Sequence, residues 1–543
     1  MSNDPLRRAR THRPLAPRSR LLGAVLASSA IATLGLGACG TSQGGNATGT
    51  SGGAASSGPS NATLTVAYGQ TLASIDPAQS NQNNANTIDD LAYDTLATYN
   101  SANQLVGTLA TAFSLTPDAT AIDVTLRSGV KFHDGTALTA TDVAYSFDRY
   151  VAVGSGIGGL LGDYASTEVT DPTHLVIRLK KADALFIGVL SKIYILEKSL
   201  VAAHAGSDQG QSWLQTHDAG SGPYVVTVGT NPVTMTRFPD YWAYVASRPA
   251  KVILEQIAQS PTEASELKTG QINVALDLQT ADADSLSGVS GVSVSWLPSP
   301  NTAYIYMNTK IGVTANPTVR RALQLAYDYS GGLKVIRGGH GQIENGPLPQ
   351  TLPCLTTAPP FAQNLIRAKS LLYSAHLSSL SLTLRFQPSI ADQVREATLL
   401  QSDLRSIGVT LNLVPITFPE FLAALSNPST IPEMVLVQDT APFPDPGVFL
   451  YDYYDSATIG TTNRSAYSNP TVDQLLGKAQ VTSDIAERCS LYQQAQTQIN
   501  ADAPAIDLYT LSAPVGYASG VSGLNPSATV YPISLRTVRL SSS

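Results

Sequence analysis

Between residues 380 and 416 the chain reads LSLTLRF, then VREATLLQSDLRSIG, then VTLNLVPI. In the outer two segments apolar residues alternate as on a half-buried strand. In the middle one they recur three and four apart, as on one face of a helix that ends at Gly408. A strand, a helix and a second strand in that order make a βαβ unit, which needs a parallel strand pair covered by the connecting helix. The same texture runs through the chain: LTVAYG (64–69) predicts a strand, and TIDDLAYDTLATY (87–99), AKSLLYSAHL (368–377) and VDQLLGKAQ (472–480) predict helices. No repeat of fixed period appears, which argues against solenoids and propellers. The fold class is α/β.

Composition limits the rest. At 543 residues the chain exceeds one ordinary core, so two or three domains or lobes are expected. Hydrophobic residues make up 43% and charged ones 13%, enough apolar material to fold most of the length. A mean hydropathy of +0.02 argues against a multi-span membrane protein. The net charge of −7 gives no basic face to displace phosphate counterions, so nucleic acid is not an expected partner.

The first 39 residues have the layout of an export signal. Six arginines between Arg7 and Arg20 precede the apolar run LLGAVLASSAIATLGLGA. The run closes on LGAC, which resembles the lipobox of bacterial lipoproteins and implies acylation of Cys39. The Gly/Ser/Thr-rich segment that follows, to residue 61, reads as a tether with a mean reach of roughly 25 Å. A body held this way works outside the cytoplasm. There Cys354 and Cys489 are an even pair, open to a bridge or to two separate buried thiols.

The stretch VTLRSGVKFHDGTALTATDVAYSFDR (124–149) gathers Arg127, Lys131, His133, Asp134, Thr139 and Asp142. Local rules give several of them structural work. Residues 122–127 alternate like a strand, and Asp134-Gly135 carries tight-turn chemistry. Thr139 with Asp142 three residues on is close to a capping box, and Val143 and Phe147 define an apolar helix face. His133 and Asp134 are adjacent in a turn, a poor arrangement for a catalytic dyad.

The same stretch resembles the signature of the family 5 extracytoplasmic solute-binding proteins, the peptide and nickel receptors of ABC importers, with Ala137 in place of the usual proline. Further segments resemble family motifs in family order: GSGPYVV (220–226), FPDYW (238–242), ELKTGQINVAL (266–276), YIYMNT (304–309), VRRALQLAYD (319–328), APFPDPGVFL (441–450) and YSNPTVDQLL (467–476). The resemblance implies a two-lobed periplasmic-binding-protein-like fold (type II, cluster C type) with an extra subdomain. After a signal peptide and lipobox cysteine (1–39) and a tether (40–61), the first lobe takes 62–100, 220–305 and 510–543, the subdomain 101–219, and the second lobe 306–509.

It also implies a function: a substrate-binding lipoprotein of an ABC importer that captures an oligopeptide or dipeptide between its lobes and passes it to the permease. A nickel chelate, a sugar or an opine-like compound is the alternative solute, and a secreted hydrolase the alternative class. The expected partners are the ligand, the permease subunits and the membrane through the anchor, with the protein a monomer and without cofactor or metal. The candidate ligand-binding residues are Gln70, Thr71, Tyr304, Asn308, Arg385, Asp439 and Phe443. In peptide receptors of the family the loop of APFPDP carries an aspartate for the peptide amine, a strong charged pair. Here that position is Pro442, and Asp445 matches a second, structural aspartate.

Enzyme motifs are weak. GTSGG (49–53) fits a nucleophile elbow but lies in the tether, and GSGIGG (154–159) fits a dinucleotide loop but follows a helix rather than a strand. The seven histidines are scattered, with no HExxH and no CxxC.

Overall fold

Two long strands carry the chain between the halves of one sheet. The structure is a computed structural model that describes residues 60–541 apart from 80–82, 230, 378–379 and 531, so Cys39, the signal peptide and the tether through residue 59 lie outside the described residues. The first half of the sheet contains β1 (Thr63–Tyr68), β2 (Tyr224–Val228), β3 (Val233–Arg237), β4 (Lys251–Gln256) and β5 (Val274–Ala275). The chain then enters the long β6 (Val292–Met307). The second half adds β7 (Gly341–Ile343), β8 (Leu380–Phe386), β9 (Val409–Pro415) and β10 (Met434–Asp439), and the long β11 (Ala505–Ala518) returns to the first half.

Across the described residues the strand order is β9-β8-β10-β6-β11-β5-β1-β4-β3-β2, with β7 beside β11. β1 runs parallel to β4 and β5, and β8 runs parallel to β9 and β10. β6 and β11 are antiparallel along their whole length, Val292 facing Ala518 and Tyr306 facing Ala505, with the register shifted between Pro298 and Thr302.

The βαβ unit read from the sequence is present. Leu380, Leu382, Leu384 and Phe386 of β8 point inward, and the helix Ala391–Ser406 lays Ala397, Leu400 and Leu404 on the same core. Gly408, at φ 83°, turns the chain into β9. The helices expected over 368–377 and 472–480 are Leu365–Ser374 and Pro470–Gln480. The helix expected over 87–99 is shorter: it occupies Asn83–Ala92, and Ala97–Tyr99 is a strand paired with Leu105–Gly107. The chain leaves the helix just before Asp94, whose fully buried carboxylate takes hydrogen bonds from Ser221, Tyr241, Trp242 and Arg536. That anchorage overrides local helix preference, and the threonine and tyrosine beyond it suit a strand.

The stretch 124–149 belongs to a four-stranded antiparallel sheet and the helix after it. Its polar residues hold backbone and neighbouring motifs together. Arg127 lies 4.2 Å above the Trp242 ring and donates to the Thr108 carbonyl. Lys131 pairs with Asp240 at 2.7 Å on the surface, and Asp134 accepts from Thr136. Thr139 and Asp142 form the capping box of Ala140–Val153. His133 turns away from Asp134: Nδ1 faces Asp218 at 2.7 Å and Nε2 faces the Gly222 carbonyl at 3.0 Å. Burial pulls this imidazole's pKa down, but the hydrogen bond and charge of Asp218 with the Gly222 carbonyl outweigh it and hold it above its ordinary value. GSGIGG (154–159) runs from Gly154, the C-cap of the helix Ala140–Val153, into the short helical turn Gly156–Leu161, behind a helix and not a strand.

Two features pin the second half. Cys354 and Cys489, 135 residues apart, are bonded with Cα atoms 5.0 Å apart, tying a loop to the helix Ile485–Asp502. Beneath the strand crossing, fully buried Glu344 accepts from Thr302 of β6, Thr510 of β11 and Gln350. Burial raises its carboxyl from 4.5 to about 8, with those hydrogen bonds opposing.

Both features make testable statements. The double variant Cys354→Ser/Cys489→Ser should lose about 2–5 kcal/mol of unfolding free energy, the range for a native bridge closing a long loop. Urea unfolding measures this, and equal stability of wild type with and without reductant would contradict it. Glu344 is protonated when folded and ionises at its ordinary value when unfolded, so it stabilises fully below about 4.5 and loses that contribution as pH rises through about 8. Glu344→Gln should therefore gain on wild type by a few kcal/mol between about pH 5 and about pH 8. A difference that stays constant across unfolding curves at the two pH values would rule this titration out.

Candidate ligand-binding cleft

The cleft lies where β6 and β11 cross. Three chambers meet there, of about 690, 270 and 320 Å³. Asn83 borders the first two, and Pro300, inside the register shift, borders the second and third. In the large chamber Gln70 comes from the loop after β1, Trp296 from β6, Asn301 from the register shift and Gln438 from the end of β10. Arg337 and His340 follow the helix Tyr329–Ile336. The wall is mixed: one indole, several amides and a few charged groups, as in sites for polar solutes.

Those charges are largely engaged within the protein. Arg337 donates to Asp392 at 2.6 Å and Glu396 at 2.8 Å; burial would lower its pKa, but the two carboxylates hold it up. Asp277 accepts the Gly69 amide at 2.7 Å, and burial still pushes its pKa above the usual range. Glu263, fully buried, is raised to about 8 by burial and by the charge of Asp277. His340 stacks flat on Trp296, ring centroids 3.5 Å apart, with Nε2 3.5 Å from Asp284. Ser260 donates to Asp282 at 2.6 Å and accepts the Gln279 amide.

The residues expected to bind ligand scatter. Gln70 borders the large chamber. Thr71 accepts from Gln256 at the end of β4 and borders none of the three chambers. Tyr304 borders none of the three chambers: the second-half part of β6 is covered on both faces, Ala303 and Ile305 in one core and Tyr304 and Tyr306 in another, so Tyr304 is fully buried with its hydroxyl on the Pro347 carbonyl. Asn308 is also fully buried, donating to the Ile431 carbonyl and accepting the Lys310 and Ile311 amides. Arg385 sits half-buried on β8, its charge felt by Glu420 rather than by the cleft.

Asp439 also borders none of the three chambers. Gln438 and Thr440 border the cleft, and strand alternation sends Asp439 the other way, onto Arg464 at 3.1 Å. Phe443 is 2% exposed and packs in the first-half core, parallel to Tyr99 at 6.4 Å. Asp445 caps the helix Pro446–Tyr454 through the Gly447 amide and faces Arg488 at 3.4 Å.

Sequence reasoning missed Asn83, Lys192, Trp296, Asn301 and Gln438. Asn301 had a local signal, a proline-flanked irregularity within a strand-like run. The others come from elements far apart in the chain and become neighbours only through the strand crossing.

Comparison with known proteins agrees with this architecture. The sequence model of the bacterial extracellular solute-binding proteins, family 5 Middle, matches residues 104–461. The probable D,D-dipeptide-binding periplasmic protein DdpA of Escherichia coli K12 is 25% identical over 457 residues, covering 82% of this chain and 88% of DdpA. The glutathione-binding protein GsiB of Pectobacterium atrosepticum is 27% identical over 470 residues, with coverages of 82% and 88%. The periplasmic binding protein DppA of Helicobacter pylori, solved with the peptide STSA, superposes with a TM-score of 0.75 at 24% identity, covering 89% of this chain and 99% of its own. That likeness gives a two-lobed fold, and the family match gives the kinship: the chain belongs to the family 5 bacterial extracellular solute-binding proteins.

Proposed function

We propose that this protein is the capture receptor of an ABC importer, tethered through lipidated Cys39 at the outer face of the membrane. It holds a peptide-like solute in the cleft at the strand crossing and presents it to the permease as a monomer. The single observation that carries the binding role is the set of three neighbouring chambers, sharing Asn83 and Pro300 in their walls and bordered by residues from both halves of the sheet. The names of relatives that bind dipeptides and glutathione support a peptide-like solute. We assign the first lobe to 62–100, 220–305 and 510–543, the subdomain to 101–219 and the second lobe to 306–509, with the pivot at the register shift of β6.

A hydrolase would need a nucleophile with a base in reach. The cleft hydroxyl of Ser260 is instead taken up between Asp282 and the Gln279 amide. No helix among the described residues is long and apolar enough to cross a membrane, and the anchor proposed is the lipobox cysteine. Cys39→Ser should release the protein from membranes. Retention of that variant, with no labelled fatty acid on wild type, would refute the anchor.

Substrate class is tested at the amine end. Pro442 borders the middle chamber where family peptide receptors place an acid, and Asp439 is committed to Arg464. Calorimetry with matched free and N-acetylated peptides should give dissociation constants near about 1 μM that differ by less than about tenfold. A loss of about a hundredfold on acetylation would mean that a buried acid receives the amine. Binding of neither peptide, with another solute bound, would end the peptide reading and leave the receptor.

A further inference from the structure

The middle chamber holds a charge that no sequence motif accounts for. Lys192 follows the helical turn Phe186–Ser191 in a run that is buried as far as Glu197. It is only 6% exposed, borders the chamber, and donates one hydrogen bond, 2.9 Å to the Thr529 carbonyl. An ammonium has three N–H donors, so two remain without a protein acceptor among the described residues. Burial pulls its pKa down to about 8 against the charges of Asp90 and Asp89, which leaves it mostly protonated at neutral pH. Asp90 is itself held by Arg536 at 3.1 Å and Ser534 at 2.6 Å.

The other described residues around this chamber carry no charge. Asn83, Thr440 and Ser527 offer neutral hydrogen bonds, and Ile157, Pro442 and Val530 are apolar. A desolvated ammonium with one acceptor is costly, and an anion brought by the solute would relieve that cost. A ligand amine entering here would instead meet a like charge. At about 270 Å³ the chamber has room for one end of a solute, and Asn83 and Pro300 are shared with the walls of the neighbouring chambers.

We propose that Lys192 is a ligand-binding residue and that it receives a carboxylate of the captured solute in the chamber bordered by Asn83, residues 440–442 and Thr529. This rests on reading the cleft as the solute site and narrows it: the solute carries a free carboxylate. The carboxylate forms charge-assisted hydrogen bonds with the two open N–H groups, the short, strong kind.

Calorimetry on the full-length protein tests this with pairs that differ only in that group: tetra-alanine against its C-terminal amide, and glucuronate against glucuronamide. Wild type should bind the carboxylate member of at least one pair about thirtyfold or more tightly than its amide. In Lys192→Met that preference should fall to about threefold or less, with cooperative thermal unfolding retained. The wild-type comparison stands alone if the variant does not fold. Equal binding of acid and amide by wild type, a preference that survives in Lys192→Met, or no binding of either carboxylate would overturn the proposal. If glucuronate obeys the expectation and no peptide binds, the role of Lys192 stands and the peptide reading fails.

Discussion

The antiparallel pair β6 and β11 passes from one half of the sheet to the other through register shifts between Pro298 and Thr302 and between Ala303 and Tyr304, and the polar groups disturbed at the first are satisfied on the spot. Ser299 accepts the Asn301 amide, its carbonyl accepts from Thr351, and Pro300 brings no N–H to the gap. On either side the ladder resumes, and Glu344 binds the cross-strand pair Thr302 and Thr510 from beneath. Because a bulge bends a strand and re-aims its side chains, the irregularity that joins the halves also turns Asn301 and Pro300 into cleft residues. Architecture and site share one cause.

Buried polar ties knit the first half together and fix the 124–149 stretch to it. Asp94 gathers Ser221, Tyr241, Trp242 and Arg536, so that the end of the first helix, two sequence motifs and the C-terminal segment meet at one carboxylate. His133 joins the 124–149 stretch to Asp218 and Gly222, and Arg149 meets Asp76 through two hydrogen bonds of 2.9 and 2.7 Å with both side chains fully buried. Removing one partner from such a pair strands a charge in the interior, typically at about 3–5 kcal/mol, whereas surface pairs such as Lys131–Asp240 contribute little. Buried ties of this kind explain why charged residues in the motifs serve the scaffold.

What could be read in advance follows the range of the forces involved. The βαβ unit, the capping box at Thr139 and the tight turn at Asp134 are decided within a few residues, and the structure has them. The end of the helix Asn83–Ala92 was misread because it is set by Asp94 and donors more than a hundred residues away. The site was harder still. Tyr304 lies on β6 and Asn308 just past its end, and both are fully buried under helices and loops that no local rule supplies. Gln70, next to a strand end, was within reach of sequence reasoning; Trp296, Gln438 and Lys192 were not.

Phe443 adds a constraint on how the halves can part. It stands in the loop after β10, a second-half strand, yet its ring lies in the first-half core, over Tyr99 and against Gly188. A Cβ at Gly188 would come within 2.3 Å of that ring, so only glycine admits it. Separating the halves at this point would bare a phenylalanine now 2% exposed, on the order of 1.5–3 kcal/mol for a side chain of this size. A solute shifts such an equilibrium only by its differential contacts with the two states. The apolar contact at Phe443 favours closure whether or not the chambers are filled, so the contacts that discriminate between solutes fall to the amides and the lysine in the chambers.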